Sequence, residues 1–149
     1  MMQKIIAVGS DHAGLSLKNA LCAYLMDEGY TVDDKGTYDE NSCDYPDFAV
    51  AVAKDVAAKK AHLGLLVCST GIGMSMTANK IAGARAALVH NGYEAAMTRK
   101  HNDANILCLG ANIIGLALAQ DALSAFIHTE FEGNRHQRRV DKMMAQERN

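Results

Sequence analysis

Cys68 begins a glycine-rich loop and is the residue of this sequence best suited to chemistry. Residues 68–73 read Cys-Ser-Thr-Gly-Ile-Gly and directly follow the apolar run 63–67. A helix that begins just after Cys68 would direct unpaired backbone N–H groups and the positive end of its dipole at the loop, which favours a thiolate and an oxyanion beside it. The loop therefore predicts a base and an anion-binding site in one place. We expect the sulfur to be ionisable at neutral pH and to point into an open cleft.

A cysteine that ends an apolar strand is usually an inert buried thiol, and this is our interpretation of Cys108. Cys68 differs because the following glycines let backbone N–H groups approach a ligand, while Thr70 adds a hydroxyl that can relay a proton. Other functions of glycine-rich loops need residues at positions where this sequence lacks them. A cysteine-dependent phosphatase would need arginine where Met74 stands, and a dinucleotide-binding loop would have a third glycine in place of Met76. A Walker-type ending and Trp are also lacking, which argues against nucleotide and flavin binding.

Asp11 and His12 come shortly after another apolar run, residues 5–8, just as Cys68 comes after the run 63–67. A carboxylate and an imidazole at that position could face a ligand. For Asp11 the alternative is helix capping, in which its side chain bonds the first N–H groups of a helix near Gly14. Both interpretations stay open for Asp11, while the pair as a whole favours a functional role.

Two further groups carry imidazole or guanidinium side chains. His101 and Asn102 end a helical pattern, where a histidine is often only a cation near the last carbonyls. Arg135 and Arg139 are four residues apart, so one helical face would present both as a fork for a phosphate. Basic runs on a surface are usually only solvated, so this fork matters if the helix lies over the cleft or reaches a neighbouring subunit.

Short apolar runs alternate with helical patterns along the chain and must position these residues. We predict strands at Ile5–Val8, Tyr30–Asp33, Leu63–Val67, Ala86–Val89 and Ile106–Leu109. We predict helices at Gly14–Glu28, Phe48–Lys60, Ile72–Lys80, Tyr93–Lys100, Ile113–His128 and Arg135–Glu147, with Pro46 in a first helical turn.

This alternation predicts an α/β fold: a three-layer, doubly wound (Rossmann-like), five-stranded parallel sheet with helices on both faces and a C-terminal helix. Ligands of such folds bind at the carboxyl ends of the strands, where the strand order reverses. The first and third strands, followed by Asp11 and Cys68, should bracket that crevice.

Composition limits the class of protein. With 149 residues, of which 49% are hydrophobic, we expect one domain over residues 1–149. A net charge of −2 offers no broad attraction to nucleic acid or acidic membranes. No apolar run approaches the ~20 residues of a membrane helix, and we see no signal peptide. Four cysteines without CxxC spacing suit reduced thiols, so we expect a cytoplasmic protein.

Several separate motifs closely resemble those of the B-type ribose-5-phosphate isomerases, a family that includes allose- and galactose-6-phosphate isomerases. Order and spacing agree over nearly the whole chain. The motifs are Gly-Ser-Asp-His-Ala-Gly (9–14), Asp-Tyr-Pro (44–46), Cys-Ser-Thr-Gly-Ile-Gly-Met-Ser (68–75), Ala-Asn-Lys (78–80), His-Asn-Asp-Ala-Asn (101–105) and Gly-Asn-Arg-His (133–136).

The resemblance implies an aldose–ketose isomerase that interconverts ribose 5-phosphate and ribulose 5-phosphate through a cis-enediolate, without metal or cofactor. It implies that Cys68 moves the proton between carbons, that Thr70 moves it between oxygens, and that His101 opens the sugar ring. Asp11 would hold a ring hydroxyl and the backbone N–H groups from Ser69 through Gly71 and Ile72 to Gly73 would meet the enediolate charge. The residues implied to bind phosphate and sugar are His12, Arg135, Arg139, Tyr45 and Asn102.

Members of this family are dimers in which the residue matching His101 comes from the other subunit, so we expect a homodimer, or a dimer of dimers, with a shared active site. Two positions depart from the pattern. Ser69 stands where glycine is usual, and Asn112 stands where an arginine often reaches the phosphate from the partner subunit. The departures leave an isomerase of a 6-phosphohexose, allose or galactose 6-phosphate, as an alternative. A separate alternative is a non-catalytic sugar-phosphate sensor on the same scaffold.

Overall fold

The computed structural model describes residues 3–147, in which five strands alternate with helices. The strands are β1 (Ile5–Ser10), β2 (Thr31–Asp34), β3 (Leu63–Cys68), β4 (Ala86–Leu88) and β5 (Ile106–Gly110). The helices are α1 (Leu15–Asp27), α2 (Tyr45–Ala57), α3 (Ile72–Ala78), α4 (Gly92–Asn102), α5 (Leu116–His128) and α6 (Arg135–Met144).

All strand pairings are parallel, and the order across the sheet is β2-β1-β3-β5-β4. The chain first moves from β1 to β2 on one side and then returns to β3 on the other side of β1. The strand order therefore reverses between β1 and β3, which pair from Ile6–Leu63 to Ser10–Val67. Asp11 and Cys68 sit at this switch point, as predicted.

Alternation along the strands divides the core between the two faces of the sheet. Leu65, Leu107 and Leu109 point to a cluster formed with α1, α4 and α5, whereas Leu66 and Cys108 point to a cluster formed with α2 and α3. Each face of the sheet is thus covered by helices. The predicted doubly wound fold is confirmed, with the C-terminal helix α6 lying against α4.

The predicted strands lie within two residues of those observed, but several helix bounds were wrong. Helix α2 begins at Tyr45, not Phe48, because Asp44 is extended and Pro46 occupies the first turn. Helix α5 begins at Leu116, not Ile113, because the N–H groups of Ile113 and its neighbour bond the carbonyl of Gly110 in a turn.

The ends of the helices also differ from the prediction. Helix α3 ends at Ala78 rather than Lys80, and α6 ends at Met144 rather than Glu147. The Glu147 carboxylate instead accepts a hydrogen bond from the Gly83 N–H at 2.7 Å, which ties the C-terminal segment to the loop before β4.

A buried lysine fixes the loop that leads from β2 towards the switch point. Lys18 on α1 is fully buried, and its Nζ donates to Asp34 Oδ1 at 2.7 Å and to the Thr37 carbonyl at 2.6 Å. Burial of a charge is tolerated only when it is paired and hydrogen-bonded. The pair therefore holds the loop after β2 against α1.

No helix in residues 3–147 combines the length and the hydropathy that crossing a bilayer would require.

Candidate active site

Cys68 lies at the end of β3, and its sulfur accepts a hydrogen bond from the Gly71 N–H at 3.1 Å. Gly71 has φ +78°, a left-handed conformation that glycine adopts without strain. This turn directs the N–H back at the sulfur, where it would stabilise a thiolate.

The Cys68 thiol is less exposed than the open position that we expected for it. Cys68 is 5% exposed and belongs to the apolar cluster that contains Leu66 and Cys108. The reason is strand alternation, because residues 66, 68 and 108 point to the same face. Ser69 and Thr70, which follow Cys68 in the loop, are half-buried.

The other buried thiols are held protonated. Burial, and then the neighbouring Cys68, raise the pKa of Cys108. Burial, followed by the charge of Asp34, raises the pKa of Cys22 to about 11. The four cysteines are free thiols, and our interpretation of Cys108 as inert agrees with its complete burial.

The loop after Cys68 has fewer free N–H groups than the sequence suggested. The Gly71 N–H is directed at Cys68, and the Ile72 N–H donates to Thr70 Oγ1 at 3.3 Å. These local bonds use the first turn of α3, as Ser and Thr side chains often do. An anion at this loop would have to compete with them.

Asp11 and His12 each have a defined partner. Asp11 is buried, and its Oδ1 accepts from the Gly14 N–H at 3.0 Å, which is the capping contact weighed above. His12 Nδ1 accepts from the Cys43 N–H at 3.3 Å. A neutral His12 therefore carries its proton on Nε2, the nitrogen left to donate to a ligand.

Tyr45 lies over the start of α3. A Cβ on Gly73 would collide with the Tyr45 ring, so the ring would have to move if Gly73 carried a side chain. Tyr45 and Ile72 remain 39% and 51% exposed. They form the outer rim of the loop that carries Cys68.

Ser69 and Asn112 connect the loops after β3 and β5. The Asn112 N–H donates to the Ser69 carbonyl at 2.9 Å, and the Ala111 N–H donates to the Cys68 carbonyl at 2.8 Å. Asn112 therefore lies beside the thiol loop of its own protomer.

The remaining predicted residues lie at the opposite end of the sheet. Helix α4 starts after the carboxyl end of β4 and runs back, so His101 and Asn102 lie where β5 begins. Strand β3 alone spans about 13 Å from Gly64 to Cys68. One protomer thus presents two half-sites. The carboxyl-edge half holds Asp11, His12, Tyr45, Cys68, Ser69, Thr70, Gly71, Ile72 and Gly73, and the amino-edge half holds His101, Asn102, Arg135 and Arg139.

The amino-edge half contains a histidine that sequence reasoning missed. The His136 and His101 rings stack with centroids 4.4 Å apart and planes at 16°. Burial, then Arg135 and His101, lower the pKa of His136, although Glu132 opposes the shift. The only sequence signal was its place directly after Arg135 in the motif 133–136.

These histidines also form the one group within residues 3–147 with enough ligand atoms for a metal ion: His101, Glu132 and His136, whose atoms lie within 4.8 Å of one another. A metal binds along the lone pair of an imidazole nitrogen, in the plane of the ring. Two stacked, nearly parallel rings cannot both direct a lone pair at one ion. As arranged, the group fits ring-on-ring packing better than metal binding.

Comparison with known proteins agrees with this geometry. The sequence profile described as "Ribose/Galactose Isomerase" matches residues 6–143. Ribose-5-phosphate isomerase B of Escherichia coli is 43% identical over 142 residues, covering 95% of each chain. D-erythrulose-4-phosphate isomerase of Pectobacterium atrosepticum is 43% identical over 141 residues, covering 93% of this chain and 91% of that one.

A solved structure shows the same fold. Ribose-5-phosphate isomerase B from Mycoplasma genitalium with bound ribulose-5-phosphate has a TM-score of 0.93, 40% identity and 97% coverage of both chains. The doubly wound fold and the family match together place the chain among the sugar isomerases. The chain belongs to the ribose/galactose isomerase family. The resemblance seen in the sequence is confirmed, and with it the expectation of an isomerase.

Proposed function

We propose that the protein interconverts ribose 5-phosphate and ribulose 5-phosphate through a cis-enediolate, with Cys68 as the base. The observation that carries the proposal is the Gly71 N–H directed at the Cys68 sulfur at the switch point. Such a bond favours the thiolate, which is the form that removes a proton. The relatives named for this activity support the choice of substrate.

The reaction moves one proton between neighbouring carbons and one between their oxygens. The Cys68 thiolate takes the proton from C2 of the open aldose and returns it to C1 of the enediolate. Thr70, whose Oγ1 lies at the start of α3, moves the proton between the two oxygens. His101 opens the furanose ring, and Asp11 holds a ring hydroxyl.

Binding is divided between the half-sites. His12 donates from Nε2 to the phosphate, and Arg135 and Arg139, both exposed on α6, clamp it. Tyr45 and Asn102 line the sugar. Those backbone N–H groups of the loop 69–73 that are not bonded to Cys68 or Thr70 stabilise the enediolate, an interaction typically worth about 3 kcal/mol per donor.

The placement of the half-sites at opposite edges supports a site that is completed by a second copy of the chain. We propose a homodimer in which the amino-edge half of one protomer faces the carboxyl-edge half of its partner. A two-fold axis then creates two equal sites. Such docking would also turn the loop side of Cys68 into a closed site. A dimer of dimers would keep the same sites.

A six-carbon substrate, allose or galactose 6-phosphate, is the second candidate. The observation favouring it is Asn112, an uncharged side chain next to the thiol loop. We propose further that the domain over residues 1–149 acts in the cytoplasm on a small phosphosugar, without nucleic acid, membrane, metal or cofactor. A non-catalytic sensor would bind the sugar without turning it over.

The test is a panel of four-, five- and six-carbon aldose phosphates assayed for ketose formation, with and without a chelator. We expect the largest kcat/KM with ribose 5-phosphate and no effect of the chelator. Cys68→Ala should abolish turnover and leave binding of the sugar phosphate measurable by calorimetry. Cys108→Ala, at a neighbouring buried thiol, is the matched control and should keep turnover. Retained turnover in Cys68→Ala would remove the thiol from the mechanism.

A further inference from the structure

His136 is the buried partner of the proposed ring-opening residue. It is 5% exposed on α6, and its ring is stacked against that of His101 on α4. Its Nε2 is buried and has no hydrogen-bond partner among the described residues. The nearest carboxylate oxygen, Glu132 Oε1, lies 3.5 Å away. The ring is thus held by packing rather than by hydrogen bonds.

His101 has few other restraints. It is half-buried at the last turn of α4, where Asp103 ends the helix in a left-handed conformation. An imidazole at a helix end can rotate about two side-chain torsions. Proton transfer to a ring oxygen needs a fixed donor within hydrogen-bond reach. Stacking against the His136 ring restricts this rotation of the His101 side chain.

The charges around His136 also favour its stacking against His101. Arg135 and Arg139 on α6 and His101 on α4 all act against protonation of His136, and Glu132 acts for it. A neutral His136 can lie against His101 while His101 gains and loses a proton. Two imidazolium rings at this separation would repel each other.

From these contacts we propose that His136 is a positioning residue, which fixes the His101 imidazole by ring stacking for the opening of the sugar ring. The proposal rests on the proposed function. Its consequence is specific: the loss of His136 should slow only reactions that begin from a cyclic sugar. Removal of the carbon-bound proton by Cys68 should be unaffected.

Sugar chemistry offers a substrate that separates these steps. Ribose 5-phosphate closes a furanose ring through its free O4. Erythrose 4-phosphate carries its phosphate on O4, so it cannot close a five-membered ring and needs no ring opening. The relative named D-erythrulose-4-phosphate isomerase is 43% identical to this chain, which makes the tetrose a reasonable probe.

The experiment compares kcat/KM for both sugars in the unmodified protein and in His136→Ala, His136→Phe and Gln137→Ala. We expect His136→Ala to lose about ten-fold with ribose 5-phosphate, part of the contribution of an acid–base residue, and less than about two-fold with erythrose 4-phosphate. His136→Phe keeps a flat ring and should recover most of the loss. Gln137→Ala, at the next, exposed position, should match the unmodified protein.

Equal losses with the two sugars, no loss with either, or a Phe variant as slow as the Ala variant would each overturn the proposal. If His136→Ala does not fold, as judged by thermal unfolding, His136→Asn takes its place. If the unmodified protein does not accept the tetrose, deuterium uptake from D₂O at C1 of ribulose 5-phosphate, which also cannot form a furanose ring, replaces it. A protein that isomerises none of these sugars contradicts the proposed function instead.

Discussion

Asn112 donates a hydrogen bond from Nδ2 to Ser69 Oγ at 2.8 Å. These are the two positions at which we expected the sequence to depart from the pattern of the family it resembles, and the structure joins them to each other. The side chains bridge the loops after β3 and β5, next to Cys68. A neutral amide therefore lies beside the loop that carries Cys68.

Asn112→Arg should strengthen the binding of phosphate. A guanidinium at this exposed position adds a cation near the loop, worth about 0.6 kcal/mol in solvent, so the inhibition constant of inorganic phosphate should fall about three-fold. Competition assays with inorganic phosphate measure this inhibition constant. Ile113→Arg adds the same charge at the next exposed position and should have a smaller effect. Equal effects of the two substitutions would show that only the overall charge matters.

Gly71→Ala should impair both stability and turnover. Gly71 has φ +78°, and an added Cβ would lie 2.6 Å from Leu88 Cδ1 and 2.9 Å from the Leu109 carbonyl carbon. Strain and overpacking of this kind cost about 1–3 kcal/mol. The N–H bond to Cys68 would shift with the backbone, so kcat should fall as well. Urea unfolding and ketose formation measure the two effects.

Gly115→Ala is the matched control for that substitution, because a Cβ there has no neighbour within 4 Å and φ is −77°. Because Gly115 is the N-cap of α5, where Ala is less favourable than Gly, the substitution should cost no more than about 1 kcal/mol. If Gly71→Ala were as mild as this control, the left-handed turn would not be needed to hold the thiol.

Lys18→Met should destabilise the fold by about 2 kcal/mol, because the Thr37 carbonyl loses its donor and Asp34 keeps only the Gly36 N–H. Lys35→Met is the control. Lys35 Nζ also contacts two carboxylates, Asp33 and Asp55, but is partly exposed, so its loss should cost less than about 1 kcal/mol. Urea unfolding measures both. Similar losses would contradict a structural role for the buried lysine.

Acid should destabilise the protein partly through His136. Its pKa lies below the ordinary 6.5 in the folded state, first because of burial and then because of Arg135 and His101. Below about pH 6.5 the unfolded chain therefore binds more protons at this residue than the folded chain, and the free energy of unfolding falls with pH. Melting at pH 7.5 and 5.5 should show a smaller loss in His136→Phe than in the unmodified protein. Equal losses would mean that His136 does not carry this dependence.

Sequence reasoning located β1, β3 and β5 because strands buried on both faces of a parallel sheet are continuous apolar runs. It located the switch point for the same reason. Helix starts were harder, because the apolar Ile113 belongs to a turn and the polar Asp44 marks the true start of α2. Lys18 was also missed. It lies three residues after Leu15 and three before Leu21, on the buried face, but a pattern of apolar residues does not register a lysine.

The candidate site was predictable only where its residues follow a strand. Asp11, His12 and Cys68 could be placed together because carboxyl ends of parallel strands meet at one edge. The stack of His101 on His136 joins α4 to α6, and nothing in either segment encodes that contact. Burial of the Cys68 thiol was mispredicted because the loop glycines suggested openness, whereas strand alternation points the side chain to the core.

Mixing two inactive variants tests the shared site most directly. Cys68→Ala and His101→Ala should each lose turnover as pure proteins. After unfolding and refolding together in equal amounts, half of the dimers contain one copy of each variant. One of the two sites in such a dimer has both Cys68 and His101, so about a quarter of the unmodified activity should return. Mixtures that stay as inactive as the separate variants would contradict a site built from two protomers.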